Sequence, residues 1–238
     1  MTYQDLWHRL TPLYDDGEAQ AIIRLVLEVQ FGISLTDIYT GKVNELSREA
    51  EEELEKIILR LERSEPVQYV LGRETFCGRT FHVAPGVLIP RPETEELCRW
   101  IEEDYNRPYC ALQPPMPLQV LDVGTGSGCI AISLAKALPN VVVTAIDVSE
   151  GALKVAKRNA ELNSVVTYFL QQDILQIETL PDKYDIIISN PPYVRELEKK
   201  EIRHNVLEYE PHLALFVPDN NPLLFYDKIA TLSQQSLN

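Results

Sequence analysis

Histidine and cysteine are scarce, with 4 of each among 238 residues. The cysteines (Cys77, Cys98, Cys110 and Cys129) show no CxxC spacing, and the histidines form no HExxH pattern. No metal is therefore expected, neither a structural zinc nor a zinc hydrolase centre. Reduced thiols in a cytoplasm are the simplest reading. Long apolar runs are also missing, so no membrane-spanning segment is expected. Met1 to Trp7 lacks the basic and apolar regions of an export leader. Positive charge is short as well: 22 Lys and Arg face 36 Asp and Glu, a net charge of −14. That disfavours a protein whose main work is gripping a phosphate backbone, which needs a basic face. It leaves room for a protein partner with a basic surface, and it serves solubility in any case.

What is present falls into regions of different character. The first 72 residues read as helices. Ala21, Ile22, Leu25, Val26 and Val29 have helical spacing and end at Phe31-Gly32, a glycine cap. Ser47 is placed to cap a second long helix with Ala50, Leu54, Ile57, Ile58 and Leu61 on its core face. Glu51, Glu52, Glu53 and Glu55 would face water. From Pro66 the pattern changes, and Gly78-Arg79 between β-formers predicts a hairpin. Gly86 to Leu97 follows, with Pro92 in the first turn of a helix whose buried face would be Leu97, Trp100 and Ile101. Residues 106–117 hold four prolines and read as a connection.

From Leu118 strands and helices alternate. Val120 to Asp122, Val141 to Ile146, Val165 to Leu170 and Tyr184 to Ser189 read as strands. Ile130 to Leu138, and Ser149 to about Asn163, read as helices. This alternation predicts an α/β domain with a parallel sheet and right-handed crossovers.

Two stretches in this region carry chemistry. Asp122-Val123-Gly124-Thr125-Gly126-Ser127-Gly128 joins the first strand to the first helix, where glycines allow a sharp turn and close approach of backbone to a ligand. Asp147 ends the next strand, where an acid meets ribose hydroxyls in this architecture. Asp173 ends the third strand; it could meet an adenine amino group or simply cap a turn. A dinucleotide site is the competing reading, since Gly126 to Ala131 fits a loose GxGxxA. Asp122 argues against it, because an acid there repels pyrophosphate and favours a cationic ligand. The second stretch is Ser189-Asn190-Pro191-Pro192-Tyr193. Proline after Asn190 and after Pro191 holds both residues extended and removes N–H donors. The result is a rigid rim of acceptors beside an aromatic ring, suited to a planar group that carries an NH2. A proline-rich turn with a satisfied Asn is the bland alternative.

Asp122 to Gly128 with Asp147 resembles the class I methyltransferase signature. Asn190-Pro191-Pro192-Tyr193 resembles the motif of enzymes that methylate a planar nitrogen. Pro66 to Gly72, Gly86 to Leu97, Glu208 to Pro211 and Ala214 to Phe216 are similar to the peptide chain release factor glutamine methyltransferase family. The resemblance implies a Rossmann-like methyltransferase domain at 91–238, a linking β-hairpin at 73–90 and a small helical bundle at 1–72 that recognises the release factor. It implies S-adenosylmethionine as cofactor, with S-adenosylhomocysteine as product. Asp122, Gly124, Thr125, Gly126, Ser127, Gly128, Asp147, Asp173 and Asn190 would bind the cofactor. Asn190, Pro191, Pro192 and Tyr193 would be catalytic. Ile174 stands where some relatives carry an aromatic beside the adenine. The substrate implied is the glutamine of Gly-Gly-Gln in class 1 release factors. A cytoplasmic monomer in full-length form, with no direct nucleic-acid or membrane partner, is expected. The alternatives are an adenine-N6 nucleic-acid methyltransferase and a non-catalytic cofactor-binding scaffold. The helix from Pro222 to about Leu237 resembles the one before the family's fifth strand. The chain is therefore expected to lack the final strands, leaving Ile186 to Ile188 on an open edge.

Overall fold

The computed structural model describes residues 1–105 and 116–238. Cys110 and most of the expected proline-rich connection lie outside the described residues. Two compact units emerge: Met1–Gly72 with Arg203–Tyr209, and Arg73–Ile202 with Glu210–Asn238.

The first unit runs through α1 (Tyr3–His8), α2 (Asp16–Phe31), α3 (Leu35–Tyr39), α4 (Arg48–Leu61) and α5 (Val67–Leu71). Thr2, Asp15, Ser34 and Ser47 each cap a helix by accepting a first-turn backbone N–H. Gly32 closes α2 in the left-handed region at φ 66°. Leu54, Ile57, Ile58 and Leu61 of α4 share one cluster with Ile23, Val26 and Leu27 of α2. The acidic face of α4 is not wholly solvated as expected. Glu55 accepts from Arg9 Nη1 at 2.6 Å and Nη2 at 2.9 Å, and Glu62 accepts from Arg9 Nε at 2.8 Å. The partner lies 46 residues away, beyond any local pattern. Residues 203–209 join this unit through the Arg203–Glu18 ion pair at 2.8 Å and the Tyr209 hydroxyl, which donates to the Arg63 carbonyl at 2.8 Å.

In the second unit β1 (Arg73–Phe76) and β2 (Arg79–His82) form a hairpin, closed by Cys77 at φ 46° and Gly78 at φ 68°. α6 (Pro92–Tyr105) begins on its proline. Its buried residues are Thr94 and Cys98, and Trp100 is 64% exposed, contrary to expectation. Thr94, Cys98 and Ile101 fall on one stripe at helical spacing, and Trp100 points away from it.

β3 (Leu118–Val123), β4 (Val141–Asp147), β5 (Tyr168–Gln171) and β6 (Ile186–Ser189) form a parallel sheet in the order β5-β4-β3-β6. α7 (Cys129–Ala137) connects β3 to β4, and α8 (Glu150–Leu162) connects β4 to β5. β7 (Val194–Arg195), β8 (Phe216–Val217) and α10 (Leu224–Ser236) follow in this unit, whereas α9 (His204–Tyr209) belongs to the first. Successive side chains along a strand face opposite layers. Val120, Val143, Ala145 and Ile188 pack with Ile130, Ile132 and Leu134 of α7. Leu121, Val123 and Ile146 pack with Leu232 of α10. The chain moves outward from β3 to β5, then returns to the far side of β3 for β6. Strand order therefore reverses beside β3, which is where open α/β sheets bind ligands. β6 ends the sheet order, with β3 as its neighbour. Leu237, read as the end of a helix, instead makes a parallel bridge to Tyr184, and Asn238 N donates to Tyr184 O at 2.9 Å.

Candidate active site

A cavity of about 370 Å³ opens at the carboxyl ends of β3, β4 and β6, a size usual for a small-molecule site. Gly124, Thr125, Gly126 and Ser127 line it. Gly124 and Gly126 have φ 73° and 56°, and a Cβ on either would meet no atom within 4 Å. Bare backbone therefore faces open space, as a close-fitting ligand cradle requires. Asp147 also lines the cavity. Its Oδ2 accepts from Gly126 N at 2.8 Å and its Oδ1 from Ser149 N at 2.9 Å. Each oxygen keeps a lone pair for a ligand, so one carboxylate both ties the loop and faces the cavity.

Two residues of the glycine stretch do not line the cavity. Asp122 is fully buried; its Oδ2 accepts from Thr125 Oγ1 at 2.6 Å and Ala131 N at 3.2 Å. Strand alternation turns it into the helical layer, so it lies behind the cavity wall and fastens the loop to the start of α7. Its Oδ1 has no partner among the described residues. Gly128, at φ 81°, is also off the wall: a Cβ there would lie 2.8 Å from Ile132 Cδ1 and 3.1 Å from Ala156 Cβ. Glycine is needed at that point for the close approach of α7 and α8.

Burial raises the Asp122 carboxyl from 3.8 to about 7. Between those values the folded chain holds a proton that the unfolded chain has released. Stability therefore falls as pH rises through that window, by roughly 4 kcal/mol at most, and the penalty is complete above it. Asp122→Asn is expected to melt above the wild-type chain at pH 8 and alongside it at pH 4. A variant that melts lower at pH 8 would show that the charged form is the stabilising one.

Asp173 lines the cavity and also accepts from Leu175 N at 3.0 Å, so wall and turn cap coexist in one residue. Ile174 forms an apolar part of the same wall. Gln172 lies beside them, with an Oε1 that has no partner among the described residues.

The opposite wall is built by the register of the sheet. Val123 pairs with Ser189, and Ser189 Oγ donates to Val123 O at 2.7 Å. This sets Asn190, Pro191 and Pro192 across from the glycine loop, and all three line the cavity. Asn190 Nδ2 donates to Thr94 Oγ1 at 3.0 Å. Tyr193 is not a lining residue and is 58% exposed. Val194 N donates to Leu215 O at 3.0 Å, which ties the segment after Tyr193 to the β7–β8 pair.

Residues Gly86 to Arg91, Pro211, Leu213 and Ala214 reach the same cavity. Buried Glu210 draws these segments together: it accepts from Ile89 N at 3.1 Å and from Arg91 Nη2 at 2.6 Å. Sequence reasoning missed Thr94, Arg91 and Asn159. Asn159, wholly buried, accepts from His82 N at 2.6 Å and donates to His82 O and Ser127 O, both at 2.9 Å. The available signal was a polar residue on the stripe of Ala152, Leu153, Ala156 and Ala160.

A methyltransferase small domain model matches residues 111–213, and a PrmC N-terminal domain model matches residues 8–72. The chain is 48% identical over 229 residues to a release factor glutamine methyltransferase of Flavobacterium psychrophilum, covering 96% of this chain and 79% of that one. A protein of the same name from Bacteroides thetaiotaomicron is 49% identical over 230 residues, with the same coverage. One from Streptococcus pneumoniae is 38% identical over 219 residues, covering 92% of this chain and 75% of that one.

Proposed function

This chain belongs to the release factor glutamine methyltransferase family, and on that premise we propose that it methylates N5 of the glutamine in the Gly-Gly-Gln tripeptide of class 1 peptide chain release factors. The observation that carries this reading is that the Gly124–Ser127 loop and Asn190 to Pro192 share one cavity.

The residues present fit S-adenosylmethionine. Bare glycine backbone leaves room for its amino-acid end, and Asp147 offers lone pairs to ribose hydroxyls. Ile174 and Asp173 give the adenine an apolar wall and a polar edge. Bound there, the cofactor supplies an electrophilic methyl on a sulfonium leaving group. The remaining work falls to the chain. An amide nitrogen is a poor nucleophile because its lone pair is delocalised into the carbonyl. Asn190 Oδ1 and the Pro191 carbonyl each accept one N–H of the substrate glutamine, which fixes the nitrogen and turns its lone pair toward the methyl; the alkylated nitrogen, now strongly acidic, releases one of its two protons to solvent. Catalysis is mainly positioning, an effect that reaches roughly 7–11 kcal/mol. Tyr193, exposed beside the cavity, is available to cover the amide plane. The helical unit would recognise the release factor, and the domain from residue 91 would carry the transfer.

The same tetrapeptide could act on adenine in nucleic acid, but a net charge of −14 disfavours gripping a phosphate backbone. Mass spectrometry of a release factor incubated with this protein and S-adenosylmethionine tests the proposal. One added methyl on the Gly-Gly-Gln glutamine is expected. Label on DNA or RNA with an unmodified factor would overturn it.

Asp147→Ala is expected to weaken S-adenosylhomocysteine binding by about 1–3 kcal/mol, the cost of a lost charged hydrogen-bond partner. Calorimetry showing an unchanged dissociation constant would assign Asp147 to the loop alone.

A further inference from the structure

The side chain of Asn190 needs something to hold it. An Asn terminal torsion is broad and nearly two-fold, so an unrestrained carboxamide samples several orientations. The two prolines after Asn190 fix backbone and leave χ1 and χ2 unrestrained. Among the described residues one side-chain hydrogen bond restrains it: Nδ2 donates to Thr94 Oγ1 at 3.0 Å, from a residue 96 positions earlier. Thr94 is itself well anchored. It is 6% exposed, sits in the first turn of α6, and its N–H donates to Arg91 O at 3.0 Å. Arg91 is held in turn by buried Glu210. Both Thr94 and Asn190 line the cavity.

We propose that Thr94 is a positioning residue that pins the Asn190 carboxamide with its nitrogen toward α6 and its oxygen free for the substrate. The inference rests on the proposed role of Asn190. A substrate NH2 presents only donors, so an Asn190 turned nitrogen-outward would oppose donor to donor. With the Asn190 nitrogen engaged by Thr94, the oxygen is the atom left to accept. The hydroxyl thus acts through Asn190 and touches neither the methyl nor the nucleophile.

Thr94→Val keeps the shape and removes the hydroxyl, whereas Thr94→Ser restores it. Turnover on the release factor in Thr94→Val is expected to fall on the order of tenfold, with S-adenosylhomocysteine affinity within about twofold of wild type. Thr94→Ser is expected to recover most of the rate. In the ligand-free protein, the Asn190 side-chain amide signals, assigned with Asn190→Ala, should shift in Thr94→Val and stay in place in Thr94→Ser. Amide signals unmoved by Thr94→Val would overturn the pin, as would wild-type turnover in that variant. A rate loss that serine does not rescue, with cofactor affinity lost in parallel, would also overturn it in favour of packing. The amide signals need no substrate. A wild-type protein inactive on release factors would therefore sink the functional reading while still testing the pin.

Discussion

Replacing Asn190 with alanine is expected to lower the rate of release factor methylation by on the order of 10² or more. Misplacing a reacting group by about 1 Å can cost that much when catalysis is mostly positioning. No strong base stands among Asn190, Pro191 and Pro192, so their acceptors must do the aligning. S-adenosylhomocysteine affinity should change far less, because Asp147 and the backbone of Gly124 and Gly126 face the cavity independently of Asn190. Thr94 keeps its place in α6 in this variant, since its backbone bond to Arg91 O does not involve Asn190. Single-turnover rates paired with calorimetry separate the two effects. Near wild-type turnover would remove Asn190 from the mechanism. Equal losses in rate and cofactor affinity would make it a cofactor residue instead.

Asn159→Ala should produce the largest loss of stability. Three hydrogen bonds disappear: one from the His82 N–H, one to the His82 carbonyl and one to the Ser127 carbonyl. Each such bond contributes about 1 kcal/mol net, so a loss of about 3 kcal/mol is expected. For a chain of this size that corresponds to a drop in melting temperature of roughly 6–12 °C. The effect should reach the cavity, because Ser127 belongs to the glycine loop. S-adenosylhomocysteine should therefore bind more weakly as well as stabilise less. Thermal melts with and without that ligand measure both. A variant melting within about two degrees of wild type would mean that water replaces the amide.

The helices and strands of the chain were legible because their causes are local. Ser47 caps α4 and Gly32 ends α2, and the hairpin turn, read at Gly78-Arg79, falls one residue earlier at Cys77-Gly78. Each depends on residues within a turn or two. The same holds for the acceptor rim at Asn190 to Pro192, where proline fixes the backbone whatever surrounds it. The glycine loop was equally visible, because only glycine takes φ 73° and 56° at Gly124 and Gly126 without strain.

Which side chains of those stretches face the cavity was not legible. Asp122 and Asp147 both end strands beside the loop, yet Asp122 is fully buried under α7 and Asp147 lines the cavity. Their layers follow from sheet alternation and helix placement, which no short window contains. Trp100 went astray for the same kind of reason: the stripe of α6 is set by what it packs on.

The sequence by itself determined the elements, the glycine cradle and the acceptor rim, since these follow from backbone conformations available to particular residues. Only the tertiary structure decided that cradle and rim form one cavity. It did so through the parallel register of Val123 with Ser189, the Glu210 clasp on Arg91 and the bond from Asn190 to Thr94. Those partners lie 66, 119 and 96 residues apart. Their pairing is fixed by the burial of two sheet faces and by the need to satisfy buried polar groups, conditions that exist only once the whole domain has closed.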